Sequence, residues 1–113
     1  MPHCIVEYSQ ALENQLEPMQ LVEAVHSGAK ASGLFEDNAI KSRAIPYSHY
    51  RTGEQPIDFV HVTVRILSGR DQAQRASLSQ AVLAELAKLE LSAISLTVEV
   101  RDMERESYAK LVR

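Results

Sequence analysis

From Val60 onward the chain alternates: Val60, Val62, Val64 and Ile66 are interleaved with His61, Thr63, Arg65 and Leu67. A two-residue period with one strongly apolar face is the signature of a half-buried strand. Ser68-Gly69-Arg70-Asp71 then turns the chain, with Asp71 suited to cap a helix. Leu78, Ala81, Val82, Leu86 and Leu89 recur at helical spacing over roughly residues 72–90. Alternation returns at Ile94, Leu96, Val98 and Val100, against Ser95, Thr97, Glu99 and Arg101. A strand, a helix and a second strand in that order form a βαβ unit. A crossover of this length returns the chain in the same direction, so the two strands are parallel.

The first half follows the same order. Residues 3–9 read as a strand with Cys4, Val6 and Tyr8 on one face, followed by a polar stretch from Gln10 to Glu17. Pro18 suits the first turn of a helix carrying Leu21, Val22, Val25 and Ala29, and Ser32-Gly33 supplies its stop. Ile40 to Ile45 reads as an extended segment ending at Pro46, and Tyr47 to Pro56 as a loop. The expected fold is α+β. Two tandem βαβ halves, about residues 2–52 and 57–113, build one domain with a four-stranded sheet and two helices on one face. The other sheet face mixes polar residues with Ile5, Phe59 and Leu67, and self-association is the natural cover for it.

Composition narrows the chemistry. Fifteen acids against twelve lysines and arginines leave a net charge of −3 and no basic stripe, which argues against nucleic acid. Apolar runs are too short to span a bilayer, and no basic segment followed by an apolar one opens the chain. A cytoplasmic protein is expected. The single cysteine, Cys4, cannot form an internal disulfide and reads as a small core residue. His3, His26, His49 and His61 show no metal-ligand spacing, so no metal is expected. No G-x-S-x-G elbow occurs, and Gly69 stands without a phosphate-cradling loop around it.

What remains is the amino terminus. Methionine is commonly trimmed before a small residue, and trimming here would leave Pro2 with a free secondary amine at the start of a strand. Burial or nearby cations would lower its pKa toward neutrality and leave it a usable base.

Met1-Pro2-His3-Cys4-Ile5-Val6-Glu7-Tyr8-Ser9 resembles the opening M-P-H-x-I-V-E-x-S of the 5-carboxymethyl-2-hydroxymuconate isomerases. Ala31-Ser32-Gly33-Leu34-Phe35 is similar to their A-x-G-[IL]-F segment, Ile40-Lys41-Ser42-Arg43 to I-R-S-R, and Phe59-Val60-His61-Val62-Thr63 to F-V-H-x-T. Ser68-Gly69-Arg70 resembles their G-R turn, so the ordered match spans roughly residues 2–83. This family lies in the tautomerase superfamily.

The resemblance implies a cofactor-free isomerase with Pro2 as general acid/base. The implied substrate is a polycarboxylate dienol from ring cleavage of homoprotocatechuate, and the implied assembly is a homotrimer. It also implies substrate-binding roles for Arg70, Arg43 and Lys41, the last a departure because a lysine replaces the family arginine and loses its planar fork. His3, Glu7 and His61 read as structural partners, and the loop holding His49 and Tyr50 as a cover for a pocket. Two other readings stay open: a tautomerase acting on another unsaturated oxo or hydroxy acid, and a non-catalytic ferredoxin-like binding module, which has a similar element order.

Overall fold

The computed structural model describes Met1–Arg113. Strand β1 (His3–Ser9) leads through a short 3-10 turn at Gln10–Asn14 into helix α1 (Pro18–Ala31). Strands β2 (Lys41–Tyr47) and β3 (Asp58–Leu67) follow, then helix α2 (Gln72–Ala87), strand β4 (Ile94–Met103) and a last 3-10 turn at Arg105–Ser107. The sheet runs β2-β1-β3-β4. β1 with β2 and β3 with β4 are parallel, as the helical crossovers require, and β1 meets β3 antiparallel at the centre. Both helices cover one face of the sheet, so the tautomerase-like architecture expected from the sequence is the one formed.

The core is the alternation made solid. Cys4, Val6 and Tyr8 from β1 and Val60, Val62, Val64 and Ile66 from β3 are buried beneath Leu21, Val25, Leu78, Val82 and Leu86 of the helices. Each helix starts on a reciprocal cap. Asp71 accepts from the Gln74 amide at 2.8 Å while its own amide donates to the Gln74 side chain at 3.0 Å. Glu17 and Gln20 do the same for α1, with Pro18 in the first turn. The helices approach closely at Gly28, where an added Cβ would lie 2.6 Å from Val82 Cα.

Three boundaries differ from expectation. β2 continues through Pro46 to Tyr47, because it is an edge strand and a missing N–H costs no ladder bond on the open side. α2 stops at Ala87 rather than near residue 90, and the chain then turns through Glu90 and Ala93, both at φ 53°. The polar stretch after β1 is partly ordered because Leu12 is buried against the core. One apolar residue has no periodicity, so nothing in the sequence marks that turn.

Candidate active site

The start of β1 lies at the end of the sheet where β3 and β4 finish. Pro2 is buried, and its carbonyl accepts from the Lys41 amide at 3.1 Å, which ties the amino terminus to the first residue of β2. The Ser68 amide donates to the Met103 carbonyl at 3.0 Å, so the Ser68–Arg70 turn and the segment after β4 share this end. Gly69 makes the turn at φ 128°, a backbone region that side chains disfavour. Arg70 follows, fixed by a hydrogen bond from Nη2 to the Leu34 carbonyl (2.8 Å) and by the Phe35 ring, 5.6 Å from its guanidinium carbon.

Positive charge gathers here without ion-pair partners. Lys41 Nζ lies 3.3 Å and Lys110 Nζ 3.7 Å from Met1 Sδ. The five salt bridges of the protein are all elsewhere, and none uses Lys41, Arg43, Arg70, Arg105 or Lys110. The terminal amine responds to this field. Its pKa is held below the ordinary value, first by burial and then by Lys110, Arg70, Lys41 and Arg105 in that order.

Arg43 lies two residues beyond Lys41 on β2, on the same face of the sheet. It stands on the helix-free face of the sheet, and its Nη1 donates to His3 Nδ1 at 3.2 Å. A guanidinium has only donors, so His3 must carry its proton on Nε2, which then donates to the Tyr108 hydroxyl at 2.9 Å. The Tyr108 ring meets His3 edge-on at 6.0 Å. Partial burial, followed by Arg43, Lys41, the terminal amine and Arg65, keeps the His3 pKa below its usual value and its ring neutral.

The sequence model of the 5-carboxymethyl-2-hydroxymuconate isomerases matches residues 2–111. The chain belongs to that family. It is therefore an isomerase of tautomerase type. The fold agrees with the solved structure of a 5-carboxymethyl-2-hydroxymuconate isomerase from Deinococcus radiodurans, at 22% identity and a TM-score of 0.79 over 99% of this chain and 90% of that one. A fused 4-OT symmetric trimer (18% identity, TM-score 0.75, 96% and 90% covered) has the same fold. So does a protein solved after inactivation by 2-oxo-3-pentynoate (18% identity, TM-score 0.70, 96% and 91% covered). No curated protein matches at the level of sequence.

Within this isomerase-family chain, the remaining polar groups are engaged with one another. His61 on β3 bridges Thr97 and Glu99 of β4, both at 2.6 Å, and its hydrogen bond pulls the Glu99 carboxyl below its ordinary pKa. Tyr47 donates to Glu7, which raises the Tyr47 pKa. Burial pushes the Cys4 thiol up to about 11, so it is inert at neutral pH. His26 lies between Ser42 (3.2 Å) and Asp37 (3.0 Å), beside a groove that Lys41 and Arg43 also border.

The Tyr50 ring packs edge-on against Phe59 at 5.2 Å, next to the far end of β1, where Tyr8 pairs with Val60. Tyr50 borders grooves at that end of the sheet, the end away from Pro2 of its own chain. Conversely, Arg105 and Lys110 stand at the terminus although nothing in their local sequence singles them out. Tyr108, an aromatic in a polar tail, was the available signal that this tail docks.

Proposed function

We propose that this isomerase converts 5-carboxymethyl-2-hydroxymuconate to its conjugated oxo isomer in cytoplasmic homoprotocatechuate degradation. Loss of Met1 exposes the Pro2 amine, which acts as general acid/base without a cofactor. The observation that carries this reading is the convergence of Arg70, Lys41, Lys110 and Arg105, all without acid partners, on the amino terminus.

The neutral amine takes the proton of the substrate 2-hydroxyl. The oxygen electrons then form the carbonyl, the double bonds shift along the chain, and the ammonium returns a proton to the distant carbon. Arg70 stabilises the negative charge on the developing oxyanion or an adjacent carboxylate, and Lys41 adds a point charge. Arg43 binds substrate beside Lys41 and also orients His3, to which its Nη1 donates.

Arg70→Ala is expected to lower kcat/KM for the tricarboxylate dienol about ten- to a hundred-fold, the value of a lost charged hydrogen bond (about 1.5–3 kcal/mol). A monocarboxylate dienol should lose less. Equal losses on both substrates would show that Arg70 does not recognise carboxylates.

The proposed assembly is a homotrimer. The chain exposes 7101 Å², against about 6,200 Å² for a typical monomer of this mass. The helix-free sheet face presents half-buried Ile5, Phe59 and Leu67, with Ile45 and Tyr47 exposed at its edge. Sedimentation equilibrium should give a species near three times 12.6 kDa; a fully active monomer at micromolar concentration contradicts it.

A further inference from the structure

The segment after β4 is anchored at two points. Arg105 donates from Nε and Nη2 to the Ser68 carbonyl at 3.3 and 2.9 Å, so it grips the same turn that presents Arg70. Three residues on, Tyr108 accepts from His3 Nε2, and His3 is itself oriented by Arg43. Lys110 follows two residues later and reaches the terminus, 105 or more residues away in the chain from the strand it meets.

What Lys110 meets there is informative. Two ammonium groups, from Lys41 and Lys110, converge on the Met1 thioether at 3.3 and 3.7 Å. A neutral sulfur is a weak acceptor and offers little to offset the repulsion between two cations. No aspartate or glutamate pairs with either lysine. The Met1 side chain thus stands where two ammonium groups would together hold a carboxylate, and it leaves with Met1 when the Pro2 amine is exposed.

We infer that Lys110, presented by this anchored segment, is a substrate-binding residue that holds one carboxylate of the substrate together with Lys41. Tyr108, His3 and Arg43 act as positioning residues for it. The pair makes the site selective for substrates with more than one carboxylate, and a charge from the last segment supplements the lysine that stands at a family arginine position. The inference rests on the reading of Pro2 as the exposed amine.

The experiment uses Met1-free protein, verified by intact mass, and reads protection of the terminal amine against covalent labelling by 2-oxo-3-pentynoate. Adipate serves as the dicarboxylate protectant and hexanoate as the monocarboxylate. Lys110→Met should raise the adipate concentration for half-protection about five- to ten-fold, between the effect of an exposed ion pair and that of a charged hydrogen bond. Hexanoate protection should change less, and Lys110→Arg should restore the wild-type values. Tyr108→Phe, which lacks the anchoring hydroxyl, should show a smaller loss of the same kind. Unchanged adipate protection in Lys110→Met, or equal losses for both acids, overturns the inference. Failure of the Pro2 reading is seen separately, as wild-type protein whose isomerase rate survives full labelling of the amine.

Discussion

Protein that keeps Met1, or whose terminal amine is acylated, is expected to turn over the dienol about 10²- to 10⁴-fold more slowly than Met1-free protein, the usual contribution of a positioned general acid/base. The pH–rate profile should carry the same signature. Rate rises with pH as the amine loses its proton, and the ascending limb should lie below the ordinary range for a free amine. Burial and the cations Lys110, Arg70, Lys41 and Arg105 all oppose protonation of the Met1 amine, and the Pro2 nitrogen one residue on is expected to meet the same opposition. Neutralising Lys110 or Arg70 should therefore move the limb to higher pH. Pro2→Ala retains an amine with more freedom, so partial activity is expected from it. A full rate in protein shown by mass to retain Met1 quantitatively would rule the mechanism out.

Gly28→Ala should destabilise the chain although it adds only one methyl group. The new methyl would meet Val82 Cα at 2.6 Å, the Ala81 carbonyl oxygen at 3.0 Å and the Val82 nitrogen at 3.1 Å. All three are backbone atoms of α2, so relief requires the helices to move apart above the packed strands. Overpacking of this kind costs about 1–3 kcal/mol, occasionally more. The gain in helix propensity from glycine to alanine returns up to about 1 kcal/mol. We expect a net loss of about 1–2 kcal/mol and a Tm lower by about 4–8 °C for a domain of this size. The two proteins must be compared at equal concentration, because subunit association adds to apparent stability. An unchanged or higher Tm would mean that the helices do not meet at Gly28.

The two features that carry periodicity were legible from residues alone. The valine alternation of β3 and the leucine stripe of α2 each register as a repeat because one face of the element is buried. Asp71 was legible as a cap because its carboxylate has one nearby task. Ordered motifs single out Arg70 and Pro2, which the fold brings to one end of the sheet. The pairing of Arg43 with His3 depends on the β1–β2 register, which sets Ile5 opposite Arg43 and His3 opposite Lys41, and no local pattern encodes that offset. Arg105 and Lys110 are exposed charges in an aperiodic tail, indistinguishable in sequence from any solvated lysine or arginine. The end of the sheet that the Tyr50 loop visits is hidden for the same reason. A loop's composition shows that it is a loop, while the antiparallel junction of β1 and β3 decides which end of the sheet it visits.

That junction also sets a stoichiometry. The strand order β2-β1-β3-β4 is nearly symmetric about its centre, so each chain has two comparable corners, one where β1 begins and one where β3 begins. A proline precedes the strand at both, Pro2 before β1 and Pro56 before β3. The nitrogen of Pro56 is locked in a peptide bond, carries no basic lone pair, and can never exchange a proton with a substrate. Under the proposed chemistry, a chain with two look-alike corners has a single competent one. In the proposed homotrimer, three chains would hold three working nitrogens rather than six, and the second corner is free to diverge into the aromatic contact of Tyr50 and Phe59.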